Sequence, residues 1–200
     1  FFLMIRRPPR STQSRSSAAS DCIRDRLKKV NNILSVRGLT SLYRINDVIE
    51  SRNNSKIADW GLSFIYPFFD NKYKKSIKSK FMSNDLDIGR LEKDDYYKLL
   101  VSSPIAISVP DSDSSPRSVF EAIFCGCAVI ITHHSYYDTL PECMKERIII
   151  VNLDKNNWFE NAITRAKLIT NKKFVPTKNA LQKFDENNTF DKMYDCIFDS

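Results

Sequence analysis

The chain has 200 residues, 42% hydrophobic and 28% charged, enough apolar content for one α/β core and little room for a second. Its apolar runs fall well short of the ~18 residues that a membrane helix needs, and its five cysteines, odd in number and widely spaced, do not form a disulfide framework. The formal net charge of +7 would point to a polyanionic partner, but the first twenty residues inflate it.

Those residues, FFLMIRRPPRSTQSRSSAAS, put a short apolar stretch ahead of the arginines, the reverse of a secretory leader. The string FFLMIRRPPRST resembles the conceptual translation of a sequencing adapter. Residues 1–20 are therefore expected to be foreign and disordered, with 21–200 forming one domain. Setting aside Arg6, Arg7, Arg10 and Arg15 leaves 27 basic residues against 24 acidic ones, a balance of +3, and no nucleic-acid partner is expected. Reduced cysteines without a leader suit a cytoplasmic protein, at most one held at the cytoplasmic face of a membrane.

From residue 31, short β-rich runs alternate with helical patterns, which predicts a parallel sheet with crossover helices. Residues 32–36 (NILSV) read as a first strand stopped by Gly38. Leu42, Ile45, Val48 and Ile49 have helical spacing and predict a helix over 41–53. A second strand at 62–66 ends at Pro67. Residues 70–80 read as a basic helix carrying Lys72, Lys74, Lys75, Lys78 and Lys80. Its plain reading is a solvated face; peripheral membrane association is the alternative. A weak strand covers 86–88 up to Gly89. A helix at 92–102 has Tyr96, Leu99 and Leu100 on its apolar face.

Residues 105–109 (IAISV) alternate little and predict a strand buried on both faces. A helix over 116–125 follows, closed by Gly126. Further buried strands are expected at 128–132 and 147–151, then a helix over 155–170 and helical character after Pro176. Cys125 and Cys127, followed by His133 and His134, could be drawn as a metal site, but a Cys-x-Cys pair beside a buried strand fits apolar packing better, and no metal is expected. The fold class is α/β, a Rossmann-like doubly wound sheet with helices on both faces. Such sheets bind ligands beyond the carboxyl ends of their strands, after Val36, Ile88, Val109 and Thr132.

The segment VPDSDSSPRSVFEA at 109–122 carries the chemistry. A buried strand ends, a polar loop follows, and a helix begins with Ser115 as the expected N-cap and Pro116 at the first helical position. The amides of Arg117, Ser118 and Val119 would then stand unpaired at the positive end of the helix, a place for phosphate. With four glycines and no glycine-rich phosphate loop, a helix end plus a basic side chain is the expected way to hold one. Glu121 stands among Val119, Phe120, Ala122, Ile123 and Phe124. It reads either as an i,i+4 partner of Arg117 on a solvated face or as the acceptor for paired ribose hydroxyls. Asp113 reads either as a turn residue or as a second carboxylate reaching the same crevice.

The run SDSSPRSVFEAIFCGCAVII resembles the signature of the group 1 glycosyltransferases, family 4: an acidic residue, seven residues, then Glu-Ala, a Gly and a buried strand. Asp113, Glu121, Ala122, Gly126 and 128–130 match it. Ile33 to Leu39, with Arg37 and Gly38, resembles the first strand and loop of that family's donor domain. Members often carry a Lys five residues after the Arg; here that position is Leu42, and Arg44 has the wrong spacing to replace it.

The resemblance covers about 30–170 and is strongest at 103–132. It implies one half of a GT-B enzyme that takes a nucleoside-diphosphate sugar as donor, needs no cofactor or metal, and transfers the sugar with retention. It implies Glu121 on the donor ribose, Asp113 on the transferred sugar, Arg37, Gly38 and the amides near Ser118 on the diphosphate, and Gly89 and Arg90 near the base. A glycan or lipid-linked acceptor would belong to an N-terminal domain that the chain does not include, so 21–200 is expected to bind donor and transfer poorly alone. The competing class is a doubly wound binding or signalling module without transfer chemistry.

Overall fold

The computed structural model describes residues 31–185. The expectations for residues 1–20, and the parts of the domain at 21–30 and 186–200, lie outside the described residues. Six strands form one parallel sheet: β1 (Asn32–Ser35), β2 (Gly61–Ile65), β3 (Leu86–Gly89), β4 (Ile105–Ser108), β5 (Ala128–Thr132) and β6 (Ile148–Val151). Their order is β3-β2-β1-β4-β5-β6. The chain builds outward from β1 to β3, then returns to lay β4 against the other side of β1. The sheet's switch point therefore falls between β1 and β4, where the loops after the two strands diverge and leave a crevice.

Helices cover both faces. They are α1 (Ile45–Asn53), α2 (Asn71–Lys78), α3 (Lys93–Ser102), α4 (Arg117–Phe124), α5 (Glu142–Lys145), α6 (Trp158–Thr170) and α7 (Lys178–Lys183). The pleat sends alternate strand residues to opposite layers. Ile33, Ile107 and Ile130 pack with Ile45, Val48 and Ile49 of α1 and with Phe159, Ala162 and Ile163 of α6. Leu34, Ala106, Val129 and Ile131 pack with Leu99 and Leu100 of α3 and with Val119, Ala122 and Ile123 of α4. This is the doubly wound class expected from the sequence. Among the described residues no helix is long and apolar enough to cross a membrane.

Several boundaries differ from expectation. The helix predicted over 41–53 is broken: Ser41–Tyr43 is a 3-10 turn, and Arg44 sits at φ 49°, a left-handed conformation, before α1 begins. The expected apolar face is cut at the break: Ile45, Val48 and Ile49 reach the core, whereas Leu42, on the 3-10 turn, is 43% exposed. The helix expected from 155 starts at Trp158, since Asn157 is also left-handed at φ 61°. A 3-10 turn at Ser135–Thr139 and the single-turn α5 fill the connection from β5 to β6 and have no periodic signal of their own.

One buried ion pair ties the β2–β3 edge to α1. Arg52 and Asp85 have side chains 0% exposed. The guanidinium donates to both carboxylate oxygens and to the Trp60 carbonyl, and Asp85 also accepts from the amides of Leu62 and Met82. Elsewhere, the Cys127 thiol is buried among carbonyls, donating toward Leu100 and Ser103, and burial pushes it up to about 12. It is a packing residue, as the Cys-x-Cys spacing suggested.

Candidate functional site

A cleft of about 510 Å³ opens at the carboxyl end of β1, within the range of small-molecule sites. Its walls come from five separate stretches: Val36 to Gly38 after β1, Tyr43 before α1, Ile65 to Phe68 at the end of β2, Arg90 to Tyr96 after β3, and Ser115 to Glu121 at the start of α4. Two grooves of about 640 and 620 Å³ flank the 153–160 loop, but neither includes Arg37 or Glu121. Chemistry, not volume, distinguishes the cleft at the switch point.

Arg37 anchors it. One terminal nitrogen donates to Ser118 Oγ at 3.1 Å, and the other pairs with the Asp113 carboxylate. The Arg37 and Asp113 side chains are each 11% exposed, and the guanidinium also lies over the Tyr43 ring at 4.7 Å. Its Nε is buried without a hydrogen-bond partner. The arginine thus stands fixed and charged at the mouth of the α4 helix end, where an anion would meet it.

The start of α4 differs from expectation. Pro116, not Ser115, occupies the N-cap position, and no side chain caps the helix. The Arg117 amide donates to the Ser115 carbonyl, and the Val119 amide to the Pro116 carbonyl, both at 3.0 Å. Of the three amides expected to stand open, only that of Ser118 has no backbone carbonyl partner among the described residues. The tightened first turn consumes the others, and the Val119 side chain belongs to the core.

Glu121 lines the cleft with its side chain 19% exposed. It does not lie on a solvated face. Instead of Arg117, its Oε1 accepts from Lys93 Nζ at 2.7 Å and from the Tyr97 hydroxyl at 3.0 Å. Burial and the Glu121 charge both raise the Tyr97 phenol above its ordinary value. Burial would lower Lys93, but its bond to Glu121 outweighs this and leaves the ammonium raised. Both groups therefore remain donors. Tyr96, beside them, is half-buried, its buried hydroxyl has no partner among the described residues, and burial holds it well above the ordinary range for a tyrosine.

The other expected residues divide. Gly38, Arg90, Arg117 and Ser118 line the cleft. A Cβ at Gly38 would come within 2.4 Å of the Phe68 ring, so the glycine lets that ring close the wall. Asp113 is not among the lining residues; the guanidinium draws its carboxylate behind Arg37. Gly89 is not among them either. It turns the chain at φ +79°, and its carbonyl accepts from the Tyr66 amide, which fixes it to the sheet edge. Arg44 pairs with Asp47 and lies 3.6 Å from Asp111, away from the cleft. The basic helix is largely compensated: Lys74 and Lys78 pair with Asp87, and Lys80 with Glu50. Sequence reasoning missed Lys93 and Tyr97. Their i,i+4 spacing at the start of α3 was the available signal, with nothing in the sequence to connect it to Glu121.

A six-stranded parallel sheet of this order, helices on both faces, is Rossmann-like, and it matches half-domains of solved GT-B structures. Solved structures share it. Anabaena HepE in complex with UDP and glucose has a TM-score of 0.70 at 11% identity, over 94% of this chain and 53% of that one. AviGT4, a glycosyltransferase involved in avilamycin A biosynthesis, has a TM-score of 0.59 at 14% identity, over 82% and 49%. An α,α-trehalose-phosphate synthase (UDP-forming) from Burkholderia xenovorans, in complex with glucose-6-phosphate, has a TM-score of 0.58 at 13% identity, over 76% and 40%. The chain spans about half the length of these structures or less. No protein-family model and no curated protein matches the sequence.

Proposed function

We propose that this domain binds a nucleoside-diphosphate sugar and serves as the donor half of a two-domain glycosyltransferase, which passes the sugar to a glycan or lipid-linked acceptor with retention of configuration. The observation that carries the reading is the convergence of Arg37, Ser118 and Glu121 on one cleft at the switch point. A fixed cation and an open amide suit a diphosphate, and a part-buried carboxylate suits the hydroxyl pair of a ribose. The structural similarity to HepE, which was solved with UDP and glucose, supports the same reading.

In this reading the bond from the anomeric carbon to the diphosphate oxygen breaks, an acceptor hydroxyl oxygen takes its place, and the proton of that hydroxyl leaves with the diphosphate. Negative charge grows on the departing diphosphate. Arg37, already held by Asp113 and Ser118, needs little reorganisation to meet it, and such preorganised donors lower the barrier. Asp113 acts by orienting Arg37, and Arg90, which lines the cleft, is the residue assigned to the base. Calorimetric titration with UDP-glucose and with a GDP-sugar tests this. Binding of either donor, lost in Arg37→Ala, is the expected result. Failure of every donor to bind would favour a doubly wound module without transfer chemistry.

A further inference from the structure

This inference rests on reading the cleft as a nucleoside-diphosphate site. Glu121 lies on a helix whose adjacent residues are apolar, and a carboxylate there is costly unless it is hydrogen-bonded. Two donors satisfy it, both from α3 and both directed at the same oxygen, Oε1. Lys93 Nζ and the Tyr97 hydroxyl are themselves 3.3 Å apart, so the three groups close a triangle. Among the described residues none donates to the second oxygen, Oε2. The carboxylate is thus pinned on one side and open on the other, at the wall of the cleft.

We propose that Lys93 and Tyr97 are positioning residues that hold one oxygen of Glu121 so that the other accepts a 2′-hydroxyl, which makes the cleft selective for ribonucleotides over 2′-deoxyribonucleotides. A carboxylate held at a single rotation loses less freedom when it binds. Its open oxygen would be left unpaired by a deoxyribose, and a site built to accept a hydroxyl discriminates strongly against a ligand that lacks it. The two residues do not contribute alike. Lys93 has a side chain 70% exposed, so its ion pair is screened and weak. Tyr97 is half-buried, and its hydroxyl sets the direction of the carboxylate.

The 200-residue protein is titrated calorimetrically with UDP, GDP and their 2′-deoxy forms, as wild type, Tyr97→Phe and Lys93→Met. The wild type is expected to prefer the ribose form of whichever base binds by about tenfold, the worth of one charge-assisted hydrogen bond. Tyr97→Phe should cut the preference to about threefold or less, with affinity for the deoxy form unchanged, because the lost contact is specific to the hydroxyl. Lys93→Met should change it in the same direction by less; its exposed position keeps the test usable if Tyr97→Phe does not fold. Equal losses for ribose and deoxyribose forms, or an intact preference in both variants, would overturn the proposal. Wild-type binding without any preference removes the proposal and leaves the cleft assignment standing. No binding of UDP or GDP removes both.

Discussion

Replacing Asp85 by Ala isolates the energetics of the one charged pair sealed inside the sheet edge. Both partners are 0% exposed, and Arg52 gives the carboxylate two hydrogen bonds, at 2.7 and 2.5 Å. Removing the carboxylate leaves a guanidinium charge without its counter-ion in a low-dielectric interior, at a cost of about 3–5 kcal/mol. The amides of Leu62 and Met82 lose their acceptor as well. A domain of this kind has about 5–15 kcal/mol of total stability, so the variant would lose roughly a fifth or more of it. Urea unfolding followed by far-ultraviolet circular dichroism reads the loss as a lower midpoint at unchanged slope. Asp85→Asn, which keeps one carbonyl oxygen, should fall between wild type and Ala. The pair Arg52→Met with Asp85→Ala should cost less than the sum of the single changes, since both charges leave together. A cost below about 1 kcal/mol for Asp85→Ala, or simple additivity, would refute the argument that this pair fastens α1 to β2 and β3.

Two further outcomes can be checked. Glu121→Ala should weaken nucleotide binding about tenfold or more, while Asp138→Ala, on an exposed aspartate 3.6 Å from the His133 ring, should leave it unchanged; equal effects in calorimetry would mean the cleft is misplaced. Asp87 supplies a pH signature. Burial raises its carboxyl, but hydrogen bonds from Lys78 and Tyr66 outweigh burial and hold it below its ordinary value of 3.8. A depressed folded-state value contributes stability that is complete above the unfolded value and is lost as pH falls through the folded one. Urea midpoints should therefore drop as the solution is acidified below 3.8, and the drop should be shallower in Asp87→Asn.

The sheet could be read from the sequence because its strands are short apolar runs between breakers. IAIS at β4 and AVIIT at β5 are buried throughout or nearly so, and their unbroken hydrophobicity left few other readings. Glu121 stood out as one carboxylate in an apolar helix, and Arg37 through its place beyond a buried strand. What could not be read depends on contacts between distant segments. Nothing near Glu121 reveals that its donors come from 24 and 28 residues upstream. Nothing near Arg52 reveals a partner 33 residues downstream. The break at Arg44 was hidden for a different reason: Leu42 has helical spacing with Ile45, Val48 and Ile49, and nothing in that spacing shows that a left-handed Arg44 leaves Leu42 exposed. At α4 the Ser-Pro pair fitted a familiar capping pattern, but Pro116's own carbonyl takes the amides of Val119 and Phe120, so the helix opens one residue later.

The order of the strands has a consequence for how the molecule holds together. Because the cleft draws on loops after β1, β2 and β3 and on the head of α4, it does not exist until β3, β2, β1 and β4 have assembled in register. Any small molecule that fills it is a tether across segments spaced more than eighty residues apart, and it binds the assembled sheet alone. Occupancy therefore adds to global stability by mass action. Amide exchange should slow along β3, β2, β1 and β4 together rather than only in the loops that touch the guest.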